Sequence, residues 1–146
     1  GLALQAMMLA LPGSLYLRQG DEIALSDSDK PTAPLELADM VIEHTQGQAS
    51  QFGSPAATVR HAAHVRLEYN LACAPLAFVT GLEWCPAEAL AFLVRGVLVV
   101  VNTSDAPIVL PPEAKVLLSS QPLRQDQGRL LVPPTTATWL EATTVA

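Results

Sequence analysis

Apolar residues crowd the opening of the chain, where Leu-Ala-Leu-Gln-Ala-Met-Met-Leu-Ala-Leu at 2–11 has Gln5 as its single polar interruption. Leu, Ala and Met are strong helix formers, and their presence on nearly every helical face predicts a helix that needs cover on more than one side. Pro12-Gly13-Ser14 stops it. Leu15-Tyr16-Leu17 then reads as a very short strand leading into the polar run Arg18-Gln19-Gly20-Asp21-Glu22. Ser, Asp, Lys, Pro and Thr dominate 26–34 and predict a loop. A weak helix is expected over 35–44, ahead of a Gln-, Gly- and Ser-rich stretch at 45–54.

The signal for a helix over 55–73 is stronger. Ser54 is a suitable cap, Pro55 suits the first helical position, and Val59, Ala63, Leu67 and Leu71 recur at i, i+4 as one apolar stripe before Pro75. After Pro75 the period shortens. Apolar and β-branched runs at 77–84, 88–95, 97–103, 108–110, 115–119, 129–132 and 136–141 are separated by Cys85-Pro86, Gly96, Ser104-Asp105-Ala106-Pro107, Pro111-Pro112, Gln121-Pro122 and Pro133-Pro134. That spacing predicts a small antiparallel β-sandwich. The expected class is α+β, with a helical part at 1–75 and a β-domain at 76–146. Many of the 12 prolines sit at these punctuation points, where a missing N–H blunts a sheet edge.

Of the 146 residues, 50% are hydrophobic and 15% charged, so a sizeable core is expected and disorder is not. A net charge of −6 repels a phosphate backbone and argues against nucleic acid as a partner. The apolar run at 1–11 is well short of the ~20 residues a membrane span needs. It also lacks the basic start and small-residue cleavage pattern of a secretory leader. The chain opens inside a helix-like stretch and reads as a truncated piece. Cys73 and Cys85 are expected to be reduced and half-buried, which makes the cytoplasm the expected compartment.

Ala-Leu-Pro-Gly-Ser-Leu-Tyr-Leu-Arg-Gln-Gly-Asp-Glu-Ile-Ala-Leu at 10–25 resembles the segment "ALPGSxYLYQGEELGL" of α-glucosidases in glycoside hydrolase family 13, the α-amylase family. There it runs from the seventh helix through the eighth strand of the catalytic barrel. The helix at 55–73 resembles the last barrel helix, and Ala-Phe-Leu-Val-Arg-Gly-Val-Leu-Val-Val-Val-Asn at 91–102 resembles the hairpin "LAFRRGGLTVVVNFGDEPV". Val-Leu-Leu-Ser-Ser-Gln-Pro-Leu at 116–123 and Leu-Val-Pro-Pro-Thr-Thr-Ala-Thr-Trp-Leu at 131–140 are similar to the closing "VLLASGPL" and "LPPDTAAWL" strands. The segments are collinear, with 26–54 the poorest match. Arg18 stands where the family usually has Tyr, and Ala24 where it usually has Gly.

The resemblance implies that 1–75 is the remnant of a (β/α)₈ barrel, as helix, strand and helix, and that 76–146 is the C-terminal β-domain of a retaining α-glucosidase. A complete barrel needs about 250 residues and does not fit. The resemblance further implies that the nucleophilic Asp, the acid/base Glu and the third Asp belong to strands before Gly1. This chain thus offers no catalytic residue, no metal site and no organic cofactor. The intact parent would take an α-glucoside or oligosaccharide. Two other readings stay open: a non-catalytic scaffold, like the transporter heavy-chain subunits of the family, and a carbohydrate-binding module.

Asp21 and Glu22 are the obvious carboxylates, but neighbours in an extended backbone point to opposite sides and cannot flank one bond. With Gln19 they are expected to brace the barrel mouth, or to form a solvated loop with an Arg18 ion pair. Trp84 and Trp139 are candidate sugar-stacking platforms, with core packing the plainer reading. His61, His64 and Glu68 share a helical face that suits a solvated His64/Glu68 pair better than a metal. Asp27-Ser28-Asp29 lacks the glycine and distal Glu of a calcium loop and reads as a polar turn. Asn102-Thr103-Ser104 fits a glycosylation sequon but reads as a hairpin-end turn. Ser14, Ser119 and Ser120 have no nucleophile-elbow context. The helix at 2–11, with its upstream neighbours missing, is expected to pair with a second copy.

Overall fold

The computed structural model describes residues 1–145. Three helices precede the strands: α1 at Leu2–Ala10, α2 at Pro34–Gln48 and α3 at Pro55–Glu68. Eight strands follow: β1 at Leu76–Phe78, β2 at Leu90–Val94, β3 at Val97–Asn102, β4 at Ile108–Val109, β5 at Val116–Ser119, β6 at Arg124–Asp126, β7 at Arg129–Val132 and β8 at Thr136–Glu141. All strand pairs are antiparallel, in a five-stranded sheet of order β1-β2-β3-β8-β5 and a three-stranded sheet of order β4-β7-β6. The class is α+β.

The architecture has three layers. Helices α1 and α3 cover one face of the five-stranded sheet, and the three-stranded sheet covers the other. This explains why β3 reads Val-Leu-Val-Val-Val: successive side chains point to opposite faces, and here both faces are buried. Val97 and Val99 join Phe92, Leu118 and Trp139 beneath the helices, while Leu98 and Val100 join Ile108, Val132 and Leu140 between the sheets. The helix-side cluster also takes in Ala6, Leu9, Ala62 and Val65. The core therefore crosses the boundary expected at residue 75, which separates element types and not packing units.

Arg95 and Gly96, with φ of 38° and 75°, make the two-residue turn between β2 and β3, the left-handed pair that suits a tight hairpin. Between the sheets, buried Asn102 ties the end of β3 to β7: its Nδ2 donates to Val132 O at 3.0 Å and to Ala106 O at 2.8 Å. Its Oδ1 accepts from Ser104 N at 3.0 Å.

Several expected elements are corrected. Among the described residues, 15–17 form no strand and pair with no other strand; Tyr16 is 88% exposed. Helix α2 extends past 44, through Gly47, to Gln48. Helix α3 ends at Glu68, where Tyr69 and a left-handed Asn70 break it ahead of the separate 3₁₀ turn Leu71–Cys73. Its buried face is Ala56, Thr58, Ala62 and Val65, so the buried stripe is rotated from the expected one: Leu67 is 78% exposed. The strand expected over 77–84 is only β1, and β6, all polar and exposed, was not expected. Among the described residues no helix is long and apolar enough to cross a membrane.

Candidate functional site

The loop after α1 carries Gln19, Asp21 and Glu22. It is not extended: Asp21–Ile23 form a 3₁₀ turn between two left-handed residues, Gly20 and Ala24. Gly20 is required there, since its φ is 97° and a Cβ would meet Leu25 and Lys30 side-chain carbons at 3.2 Å. Ala24 holds φ 58° at a cost that glycine would not incur.

Each carboxylate turns inward on the loop. Asp21 Oδ2 accepts from Arg18 N at 3.1 Å, and Asp21 Oδ1 accepts from Lys30 Nζ at 2.9 Å. Glu22 Oε2 accepts from Gly20 N at 2.8 Å. The Lys30 side chain is only 10% exposed, and its ammonium also lies 3.2 Å from Asp27. The Lys30 hydrogen bond, helped by that of the Arg18 amide, holds the Asp21 carboxyl below its ordinary range despite some desolvation. In return Asp21, then Asp27, raise the Lys30 ammonium. Arg18 pairs with Asp27 at 3.5 Å and not with the Asp21 carboxylate; both partners are about three-quarters exposed, so the pair adds little. Gln19 is exposed.

The loop is fastened to the helices through backbone carbonyls. Gln5 Nε2 of α1 donates to Asp21 O at 2.7 Å, and Gln48 Nε2 of α2 donates to Ile23 O at 3.4 Å. Gln48 Oε1 accepts from Ala56 N at 3.0 Å, while Ser54 Oγ donates to Gln48 O and caps α3 by accepting from Ala57 N. Ile23 is buried with Val41 and Ala56. Asp21 and Glu22 are thus spent on their own loop. The arrangement ties both carboxylates to groups of the same loop, and does not supply the carboxylic acid and free carboxylate that retaining hydrolysis needs about 5–5.5 Å apart.

The tryptophans separate. Trp139 is 0% exposed, and its Nε1 donates to Ala6 O of α1 at 3.1 Å, so it offers no face to a sugar and its candidacy ends. Trp84 is half-buried, packed partly against the inter-sheet core, and the rest of it lines an open cleft of about 550 Å³ with Glu83, Glu88, Pro107, Val109 and Arg129.

His61, His64 and Glu68 are exposed, and His61 is more than a solvated face residue: its Nε2 lies 2.7 Å from Leu117 O and links α3 to β5. The expected His64/Glu68 pair is not among the ion pairs of the described residues. Among the same residues no three or more His, Cys, Asp or Glu side chains are gathered as a metal site. The sequon amide of Asn102 is buried and its donors are used. Both cysteines are free; Cys73 is exposed and not half-buried, while Cys85 is half-buried and its thiol is pushed up by burial. Sequence reasoning missed Lys30, Gln48 and Gln5 as loop fasteners. Lys30 lay in a stretch whose Ser, Asp and Pro content signalled only "loop".

No protein-family model matches the chain, and no curated protein matches it. Among solved structures it is similar to the crystal structure of Ttha1563 from Thermus thermophilus, at 26% identity and a TM-score of 0.60 over 97% of this chain. The match covers 31% of Ttha1563, so the chain spans about a third of that protein's length.

Proposed function

We propose that the chain is the C-terminal part of a retaining α-glucosidase-like glycoside hydrolase. In this reading α1, residues 15–17 and α3 correspond to the closing helix, eighth strand and last helix of its barrel, with 15–17 not paired as a strand among the described residues, and the β-half is structural. The observation that carries it is Ala24. The family resemblance puts a glycine at that position, and the fold holds the residue at φ 58°, ψ 33°, a left-handed backbone that glycine adopts without strain. A chance resemblance between polar loops gives no reason for the two to coincide.

The order of the other resembling segments also fits, since 91–102 is the β2–β3 hairpin and 131–140 runs from β7 into β8. Gln19, Asp21 and Glu22 then stiffen the mouth of the barrel, and none of them is a catalytic residue. The parent acts on α-glucosides without an organic cofactor, nucleic acid or membrane partner. A cytoplasmic setting belongs to the same reading and rests on the two free cysteines.

The test is turnover of a nitrophenyl α-glucoside. The 146-residue chain is expected to show none, and the full polypeptide encoded with it is expected to be active and to lose activity when its nucleophilic Asp is replaced. Turnover by the purified chain alone would overturn the first expectation. Absence of part of the Asp, Glu and Asp set from the full polypeptide would favour the scaffold.

A further inference from the structure

We propose that the cleft beside Trp84, in the β-half, is a binding site for a neutral saccharide. The site is separate from the loop at 18–30 and does not depend on the parent being a glycosidase. Three connections converge on it: the β1–β2 segment with Glu83, Trp84 and Glu88, the β3–β4 turn with Ser104 and Pro107, and the start of β7 with Arg129.

Its walls are held in place before any ligand arrives. Asn102 Nδ2 donates to Ala106 O at 2.8 Å, its Oδ1 accepts from Ser104 N at 3.0 Å, and Thr103 Oγ1 donates to Glu88 O, joining two of the walls. Ala89 N donates to Pro86 O at 3.0 Å and closes a turn just past Trp84. Such prior fixing removes ordering cost on binding.

The lining chooses the ligand class. Trp84, Pro107 and Val109 give an apolar surface, and Glu83, Glu88 and Arg129 give acceptors and a planar donor around it. A pyranose has the matching form: one face of C–H groups that suits the electron-rich face of an indole, ringed by hydroxyls that both donate and accept. Two carboxylates repel a phosphate or nucleotide, and the Arg129 guanidinium in the same lining opposes a cation seated on the ring. The volume of about 550 Å³ is in the range of small-molecule sites, but the cleft is open, so affinity is expected near the millimolar range.

The test is an NMR titration of the two indole N–H signals of the full chain with maltotriose and with cellotriose. The Trp84 signal is expected to shift and saturate with at least one of them, at a Kd on the order of 1 mM. The signal of buried Trp139 should stay fixed as an internal reference. Arg129→Ala, at an exposed position, should weaken binding about tenfold while leaving the Trp139 signal in place. The proposal is overturned if neither trisaccharide moves the Trp84 signal up to about 50 mM. It is equally overturned if both indoles move together, if tetramethylammonium binds more tightly than the sugars, or if Arg129→Ala changes nothing.

Discussion

Replacing Trp139 by Phe tests whether α1 is fastened to the sheet as the structure shows. The ring lies wholly buried between β8 and the helices, and its Nε1 donates to Ala6 O across the layer boundary at 3.1 Å. Phe keeps the aromatic volume nearest the backbone but removes that donor, at a net cost of about 1 kcal/mol. It also removes about 40 Å³ of ring, which at about 24 cal/mol per Å³ of unfilled space adds about 1 kcal/mol. The expected loss is about 2 kcal/mol, which for a domain of this length lowers the melting temperature by about 4–8 °C. Urea unfolding should show a lower midpoint at unchanged slope, since the change leaves the surface exposed on unfolding nearly the same. Hydrogen exchange should show α1 losing protection before the β3–β8 ladder does. A variant within about 0.5 kcal/mol of wild type, with α1 protected as before, would refute the reasoning.

Ala24→Gly should stabilise the chain by about 0.5–1 kcal/mol, because relief of the left-handed backbone exceeds the added entropy of the unfolded chain; destabilisation in urea melts would contradict the assigned φ. The Asp21–Lys30 pair sets two pH limits. Asp21, lowered from 3.8, contributes stability that is present above that value and is lost as pH falls through the lower folded pKa. Lys30, raised from 10.5, contributes stability that is complete below that value and is lost as pH rises through the higher folded pKa. Lys30→Met should therefore flatten the fall of the urea midpoint as pH drops from about 5 to below 3, and an unchanged fall would contradict the pairing. The outer face of α1, where Leu4 is 56% exposed, should support self-association at high micromolar concentration, and Leu4→Glu should abolish it; a wild-type monomer in sedimentation would rule the pairing out.

The β-half was legible because its punctuation is chemical. Arg95-Gly96 and the paired prolines mark where ladders stop, and the unbroken Val-rich run of β3 marks a strand with no wet face. What could not be read was β6: Arg-Gln-Asp carries no apolar signal, and the segment is a strand only because the left-handed Gln127 and Gly128 fold it back on β7. Helix α3 shows the opposite failure. Its leucines suggested one face, but which face is buried depends on which surfaces sit above and below, and the small residues Ala62 and Thr58 fit close against the neighbouring elements where Leu67 does not.

The loop at 18–30 shows why a candidate site is harder to read than a sheet. Asp21 and Glu22 were conspicuous because they are charged and adjacent, yet their role is set by Lys30 nine residues on, by Gln5 on α1 and by the amide of Gly20. Gly20 stands beside the carboxylates in the sequence, but Gln5 and Lys30 share no period or motif with them. The left-handed backbone at residue 24 was not read, since an alanine at that position announces nothing by itself and stood out only as a departure from the family's usual glycine. Trp84 and Trp139 make the same point from the other side. Both sit in alternating or β-rich runs, but α1 covers Trp139 on one face of the sheet while Trp84 lies at the margin of the inter-sheet core on the other, edging an open cleft. A residue's chemistry is local, but its availability is decided by elements far away in the chain, so the β-half could be outlined from pattern while the state of each candidate group waited on the fold.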